Sequence, residues 1–261
     1  MKQDEAVRTI SQSLIKDNQV KAIFLKGSMG RGEYDEYSDV DLYCLVDEKE
    51  EEDFLSRRLK HLESYRKILF YEDYFIIAPQ IIAVYDNLLH VDLFTVTEKT
   101  FKEKDFFRVV YDPENKLAKF QSTQNLLLSK EEFHDCAYDV AWFLFQYHKA
   151  NQRGNDLWAV EMLQNVMVNL SKVLLHRYRP ERAQLGLKAL ESLLPSSHLN
   201  KVKTIFTYNT PASHNRAIFH LMNLLNDEID WIESNVGRNA QAGPFLRMMI
   251  NLLTSSNEKN T

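Results

Sequence analysis

The sequence of 261 residues contains few cysteines, glycines and prolines, and each scarcity excludes a class of protein. The only cysteines, Cys44 and Cys136, lie far apart and have no CxxC or other metal-ligand spacing, so no cysteine-bound metal is indicated. Reduced, partly buried thiols are the simplest interpretation, and they are typical of a cytoplasmic protein. With seven glycines and six prolines, the composition is neither collagen-like nor disordered but that of an ordinary globular protein.

Long hydrophobic runs and dense basic segments are also missing. No stretch of about 18 consecutive apolar residues occurs, so we expect no membrane span. Residues 1–20 are polar and amphipathic, unlike a secretion signal, which again favours the cytoplasm. The net charge is −5, from 37 acidic and 32 basic residues. Without a Lys/Arg block, a long nucleic acid is not an expected partner.

The hydrophobic pattern changes character near residue 122, and the chain length suits two domains. The first part mixes helix and strand signals, whereas apolar residues recur at three and four spacing over residues 131–253. We therefore predict an α+β protein, with a small mixed β-sheet and helices in residues 1–122 and an α-helical bundle in residues 123–261. The elements predicted in the first domain are helices over 4–17 and 47–65 and strands over Val20–Leu25, Val40–Val46, 75–85 and 89–96.

Glycines and prolines divide the second domain into six predicted helices. These span residues 131–150, 155–178, 181–193, 199–207, 213–234 and 240–253, with breaks at Gly154, Pro180, Pro195, Pro211 and Gly237. One helix carries an aromatic row, which we interpret as core packing. The row consists of Trp142, Phe143, Phe145 and Tyr147.

The segment of residues 27–41, GSMGRGEYDEYSDVD, is the most informative in the chain. A strand that ends at Gly27 and Ser28 and turns into a helix exposes backbone N–H groups and a hydroxyl, which suit the phosphates of a nucleotide. Glycine permits the turn and a close approach. Lys26 and Arg31 flank the turn, and both are candidates for a phosphate contact.

Three acids complete the pattern. Asp39 and Asp41 are separated by one residue, and on a strand this spacing puts both carboxylates on one face. Carboxylates suit Mg²⁺, and a nucleoside triphosphate would complete the ligand shell. Asp92 lies within a later strand pattern, HVDLF, where an acid needs a partner. It is a candidate metal ligand or a candidate general base. If its carboxylate lies close to Asp39 and Asp41, two metal ions could bind.

Together these residues resemble the characteristic motif of the polymerase-beta-like nucleotidyltransferase superfamily. That motif consists of Gly-Ser, about ten residues, Asp-x-Asp and an acidic residue in a later strand. Within it, the chain is most similar to the antibiotic nucleotidyltransferases, especially the lincosamide type and more distantly the aminoglycoside type. The likeness continues in three further segments: VYDNLLHVDLF, VVYDPENKL and LFQYHKANQRGNDLWAVEMLQ.

The resemblance implies an N-terminal nucleotidyltransferase domain and a helical substrate-binding bundle. It implies transfer of a nucleoside monophosphate, usually AMP from ATP, onto a hydroxyl of a small acceptor such as an antibiotic, with Mg²⁺ as cofactor. Asp39 and Asp41 would hold the metal, Gly27 and Ser28 the β- and γ-phosphates, and Asp92 a metal ion or the acceptor's proton. Lys149, in the bundle, would reach the triphosphate.

The general base is left open by the sequence, because the helix segment AWFLFQYHK lacks the glutamate that serves in some relatives. The candidates are Asp92, Asp139 and Glu161. A protein or RNA acceptor, or a non-catalytic nucleotide-binding module, remains an alternative function. The oligomeric state is open as well, with a homodimer as one alternative.

Overall fold

A computed structural model of the chain describes residues 1–101, 104–237 and 241–258. The chain divides into two compact units, Met1–Asn125 and Leu126–Thr261; the division predicted from the sequence fell three residues earlier. The first unit carries a mixed β-sheet with helices and the second is helical. The predicted fold class is confirmed.

Six strands form one sheet in the order β3-β4-β5-β2-β1-β6. Among the described strands of this sheet, β2 and β5 run parallel and the other neighbouring pairs are antiparallel. The elements of this unit are α1 (Lys2–Leu14), β1 (Val20–Leu25), α2 (Gly27–Arg31), β2 (Val40–Val46), α3 (Glu51–Leu55), α4 (Arg58–Glu63), β3 (Ile68–Phe75), β4 (Pro79–Tyr85), β5 (His90–Val96) and β6 (Arg108–Tyr111).

The central strands are buried on both faces, because alternate side chains enter two different cores. One core is mainly aliphatic and includes Ile10 of α1 and Leu42 of β2. The other is largely aromatic: the ring centroids of Phe24 and Tyr43 lie 5.1 Å apart, and those of Tyr43 and Phe94 lie 4.3 Å apart. These cores hold β1, β2 and β5 in place, and the predicted turn and the three aspartates lie in or next to these three strands.

The acidic segment does not form the single helix predicted over residues 47–65. It forms a 3-10 turn at Glu48–Glu50 followed by α3 and α4, which are separate. At Arg57 the backbone leaves helical geometry, with φ −121° and ψ −3°. The Arg57 guanidinium forms two hydrogen bonds to Asp17, so a tertiary ion pair is made where the helix is interrupted. The prediction also missed β3 and β6, and the strand predicted over residues 75–85 corresponds to β4 with the turn before it.

The helical unit contains α5 (Lys130–Gln152), α6 (Asp156–Tyr178), α7 (Leu187–Leu193), α8 (Ser196–Tyr208), α9 (His214–Val236) and α10 (Ala242–Glu258). The helix predicted over residues 181–193 is instead a 3-10 turn at Pro180–Leu185 followed by α7. Gly186 separates them with φ +52°, a left-handed conformation that a helix does not continue through. The predicted start of the last helix, residue 240, lies outside the described residues.

The aromatic row divides between core and surface. Tyr147 is fully buried, and Phe143 and Phe145 pack against the helical core, but Trp142 is 39% exposed. The core interpretation was therefore wrong for Trp142. Both cysteines are unpaired and buried. Among the described residues, no helix has the length and apolar character needed to cross a membrane.

Candidate active site

The predicted phosphate-binding turn lies directly after β1. Gly27 begins the short helix α2 with φ +57°, a backbone conformation that favours glycine. A Cβ atom added to Gly27 would lie 2.0 Å from Asp41 Oδ2. The backbone N–H of Lys26 donates to the carbonyl oxygen of Asp41 at 3.0 Å. The turn and one predicted acid are therefore in immediate contact.

The two strand acids are neighbours because β2 and β5 pair in parallel. Asp41 is the register partner of Asp92, and residues paired in this way point to the same face of a sheet. Asp92 is only 6% exposed, whereas Asp41 is partly exposed. The pairing joins carboxylates that lie about fifty residues apart in the sequence.

Asp39 precedes β2 and is exposed. Its Oδ2 lies 3.9 Å from Nδ1 of His90, and Nε2 of His90 lies 3.1 Å from Oδ1 of Asp92. One ligand atom from each of Asp39, His90 and Asp92 can be chosen so that all lie within 4.8 Å of one another. Among the described residues this is the one group of three potential metal ligands.

The buried carboxylate of Asp92 is held by two neighbours. Gln80 on β4 is buried and donates from Nε2 to Asp92 Oδ1 at 2.8 Å, and His90 lies against the same oxygen. A buried charge is stable only when it is paired or hydrogen-bonded. The hydrogen bond to Asp92 raises the pKa of His90; partial burial opposes this rise, and the charges of Asp92, Asp39 and Asp41 add to it.

Neither His90 nor Gln80 was among the residues predicted from the sequence. The signal for His90 was present, since it stands two residues before Asp92 in one strand and must share its face. Gln80 offered no such signal. It reaches Asp92 because β4 pairs with β5, where Gln80 lies opposite Phe94, diagonal to Asp92 on the same face.

The predicted cations contact other groups. Arg31 forms ion pairs with Glu33 (Nε to Oε2, 2.9 Å) and Asp105 (Nη1 to Oδ2, 2.5 Å), so phosphate would have to compete with two carboxylates. Lys149 lies in the helical unit on α5, with Nζ 5.3 Å from the ring centroid of Phe145.

The other base candidates also lie in the helical unit. Asp139 lines a cavity of about 330 Å³ together with Asp135 and Lys172. Burial, followed by the charge of Asp135, raises the pKa of Asp139. Glu161 is exposed on α6.

A smaller cavity of about 200 Å³ adjoins the acids. Asp39 and His90 line it on one side. Lys2, Tyr37, Ser38 and Leu88 complete its lining. This cavity gives the exposed edge of the site an open space with both charged and apolar walls.

Residues 7–134 match the family model described as "Nucleotidyltransferase domain". This stretch contains the Gly27 turn, all three aspartates and His90. Residues 7–134 are a nucleotidyltransferase domain. The protein is accordingly a transferase enzyme.

Several solved structures are similar to the chain. An aminoglycoside 6-adenyltransferase from Bacillus subtilis is 11% identical, with 96% of this chain and 98% of that chain covered and a TM-score of 0.39. A nucleotidyltransferase-like protein from Exiguobacterium sibiricum is 13% identical, with 89% and 78% covered and a TM-score of 0.40. The CD-NTase CdnG from Bradyrhizobium diazoefficiens, in complex with GTP, is 13% identical, with 99% and 86% covered and a TM-score of 0.30.

These TM-scores are low, and the assignment rests on the family model. No curated protein matches the sequence significantly.

Proposed function

We propose that the protein transfers a nucleoside monophosphate, AMP from ATP, onto a hydroxyl group of a small molecule and releases pyrophosphate. One observation carries this proposal. The carboxylates of Asp41 and Asp92 lie side by side on adjacent strands, and Asp41 abuts the Gly27 turn. A triphosphate bound at the turn would therefore lie beside the acids that we propose to hold its metal ion.

The three acids fit a divalent ion, since carboxylate oxygens are the ligands that Mg²⁺ prefers. Asp39, Asp41 and Asp92 would hold one ion or two. When bound, the metal neutralises charge that develops on the transferring phosphoryl group. The backbone at Gly27 and the Ser28 hydroxyl would hold the β- and γ-phosphates, with Arg31 and Lys149 as further phosphate contacts. Orientation of the two reactants would then contribute much of the rate.

The proton of the attacking hydroxyl needs an acceptor. Asp92 is the candidate within the site, although its Oδ1 already lies within hydrogen-bond distance of Gln80 and His90. Asp139 has a pKa raised by burial, and a higher pKa makes a carboxylate a more effective base near neutral pH. Glu161 is the third candidate. The pH dependence of kcat in Asp139→Asn and Glu161→Gln variants distinguishes them.

The acceptor that we propose is a hydroxylated antibiotic of the lincosamide or aminoglycoside type. The motif resemblance to antibiotic nucleotidyltransferases supports this choice. Residues 1–122 would then act as the catalytic domain and residues 123–261 as the acceptor-binding domain. We further propose a cytoplasmic location and, as one oligomeric state, a homodimer.

The deciding experiment measures pyrophosphate release with Mg²⁺ and each of the four nucleotides against a panel of hydroxylated antibiotics. We expect turnover with ATP in the wild-type protein. In a double variant, Asp39→Asn with Asp41→Asn, the rate of pyrophosphate release should fall at least about 100-fold. This is the order of the loss found when one group that stabilises charge in the transition state is removed. Asp86→Asn is the matched control, because Asp86 pairs with Arg66 outside the site. Unchanged turnover in the double variant would show that Asp39 and Asp41 do not hold a catalytic metal ion.

A second measurement tests the acceptor class. Labelled ATP is incubated with the protein and a cell lysate, and the products are separated by size. Label in small molecules supports the antibiotic-type acceptor. Label in protein or RNA bands would instead indicate that the acceptor is a macromolecule and that the antibiotic-type acceptor is wrong.

A further inference from the structure

We propose that His90 is a direct ligand of the divalent ion, together with Asp39 and Asp92, and that this nitrogen ligand makes the site bind Mn²⁺ more tightly than Mg²⁺. The inference rests on the proposed function only in taking the ion to be the one used by the transferase. The residue motif of the sequence contains oxygen ligands alone, so His90 changes the chemistry of the site.

The distances between the side chains match a shared ligand shell. Ligands at about 2.1 Å from an octahedral ion lie about 3.0 Å apart when adjacent and about 4.2 Å apart when opposite. Nε2 of His90 and Oδ1 of Asp92 are 3.1 Å apart, close to the adjacent value. The whole group lies within 4.8 Å. To bind one ion, the most distant pair of ligand atoms would have to approach by up to about 0.6 Å as opposite ligands, or up to about 1.8 Å as adjacent ones.

Two of the three ligands are already fixed in place. His90 and Asp92 share one face of β5, and Asp92 is buried with Gln80 donating to Oδ1. A hydrogen bond from outside the ligand shell orients a ligand and supports metal affinity. Asp39 is exposed, and its Oδ2 lies 3.9 Å from Nδ1, which is not the ring nitrogen next to Asp92. As the third ligand, the Asp39 carboxylate would therefore have to move towards the ion.

The ligand set decides the ion. Mg²⁺ binds almost only to oxygen and keeps several waters. Imidazole is a ligand of transition metals, and Mn²⁺ also accepts carboxylate and water. An imidazole added to a carboxylate site therefore favours Mn²⁺ over Mg²⁺. Mg²⁺ would bind the same residues more weakly through the oxygens.

The test is pulsed electron paramagnetic resonance of Mn²⁺ bound to the 261-residue chain without nucleotide. We expect nitrogen coupling from a directly bound imidazole, and its pattern should change when the wild-type protein carries ¹⁵N-labelled histidine. The labelled sample contains no substitution, so it does not depend on how a variant folds. The coupling should be lost in His90→Ala and kept in His134→Ala, since His134 lies on α5 outside the group.

Titration of both ions gives a second readout. In His90→Ala we expect Mn²⁺ affinity to fall at least about 10-fold and Mg²⁺ affinity to change less, so that the preference for Mn²⁺ narrows. Bound Mn²⁺ without nitrogen coupling, or an unchanged preference in His90→Ala, would overturn the inference and leave His90 as a residue that positions Asp92.

The two proposals fail separately. Nitrogen coupling without nucleotide transfer to any acceptor would support the metal site and overturn the proposed function. Nucleotide transfer by a protein whose bound Mn²⁺ shows no nitrogen coupling would support the proposed function and overturn the assignment of His90 as a metal ligand.

Discussion

At the residue scale, Gly27 shows how closely the phosphate-binding turn is fitted to the acids. The space that a Cβ would occupy is filled by Asp41 Oδ2, and the backbone is left-handed at this residue. Gly32 offers a comparison inside the same segment. It is also left-handed, with φ +73°, but nothing lies within 4 Å of its Cβ position.

Gly27→Ala should therefore reduce nucleotide transfer much more than Gly32→Ala. Each alanine costs about 1 kcal/mol of folding free energy from the left-handed backbone. Only Gly27→Ala also displaces the Asp41 carboxylate, which should lower kcat/KM by about 100-fold or more. Kinetics and urea unfolding of both variants check this. Equal loss of activity in the two would mean that the contact with Asp41 has no role.

Individual residues of the site differ in how readily the sequence predicts them. The glycine, the serine and the three aspartates were predicted because they occur in a short motif or in a recognisable strand. His90 could have been predicted from its two-residue spacing to Asp92. Gln80 could not, because its contact depends on which strand pairs with β5 and in which register.

At the scale of the element, an ion pair ties the loop after α1 to the start of α4. Arg57 binds both carboxylate oxygens of Asp17, at 2.7 and 3.1 Å. The hydrogen bond from Arg57 is the main reason that the pKa of Asp17 is lowered to about 2. A carboxyl group with a lowered pKa stabilises the fold where it is ionised.

Asp17→Asn should therefore destabilise the sheet unit by about 2 kcal/mol at neutral pH, the free energy that corresponds to this shift. The stabilisation is complete above about pH 4, the unfolded pKa of aspartate. It is lost as the pH falls towards 2. Urea unfolding followed by circular dichroism at several pH values measures it.

The control for this measurement is Asp86→Asn, which removes an exposed ion pair with Arg66. It should lower the free energy of unfolding by less than Asp17→Asn does. A difference between wild type and Asp17→Asn that did not shrink with acid would contradict the assignment to ionised Asp17.

Elements were predicted well where their apolar residues are buried throughout. The central strands β1, β2 and β5 have the predicted bounds or nearly so, because their apolar residues face cores. The strand β3 is the opposite case: it lies at the sheet edge and its residues are exposed or half-buried. Hydrophobic alternation cannot mark such a strand. The four residues of β6 are too few to show any period.

At the scale of the whole molecule, each unit has its own buried core. The cores of the sheet unit draw on residues between 6 and 117, and the core of the helical unit on residues between 128 and 253. All three tryptophans, Trp142, Trp158 and Trp231, belong to the helical unit. Tryptophan fluorescence therefore reports on that unit.

Core substitutions should consequently separate two unfolding transitions. Leu221→Ala, in the helical core, should destabilise the helical unit by about 2 to 5 kcal/mol and lower the urea midpoint seen by tryptophan fluorescence. Leu14→Ala, equally buried but in the sheet unit, should leave that midpoint in place and shift only the transition followed by circular dichroism. Equal shifts of the fluorescence midpoint in both variants would show that the chain unfolds as one cooperative body.

The sequence by itself determined the class of fold, the turn at Gly27 and Ser28, and the spacing of Asp39, Asp41 and Asp92. These follow from local rules, since strand and helix periods and glycine's backbone freedom act over a few residues. Only the tertiary structure decided that Asp41 lies beside Asp92, that Gln80 holds Asp92 and that the acidic segment breaks at Arg57. Each of these depends on hydrogen bonds or ion pairs between residues distant in the chain, which no local pattern specifies.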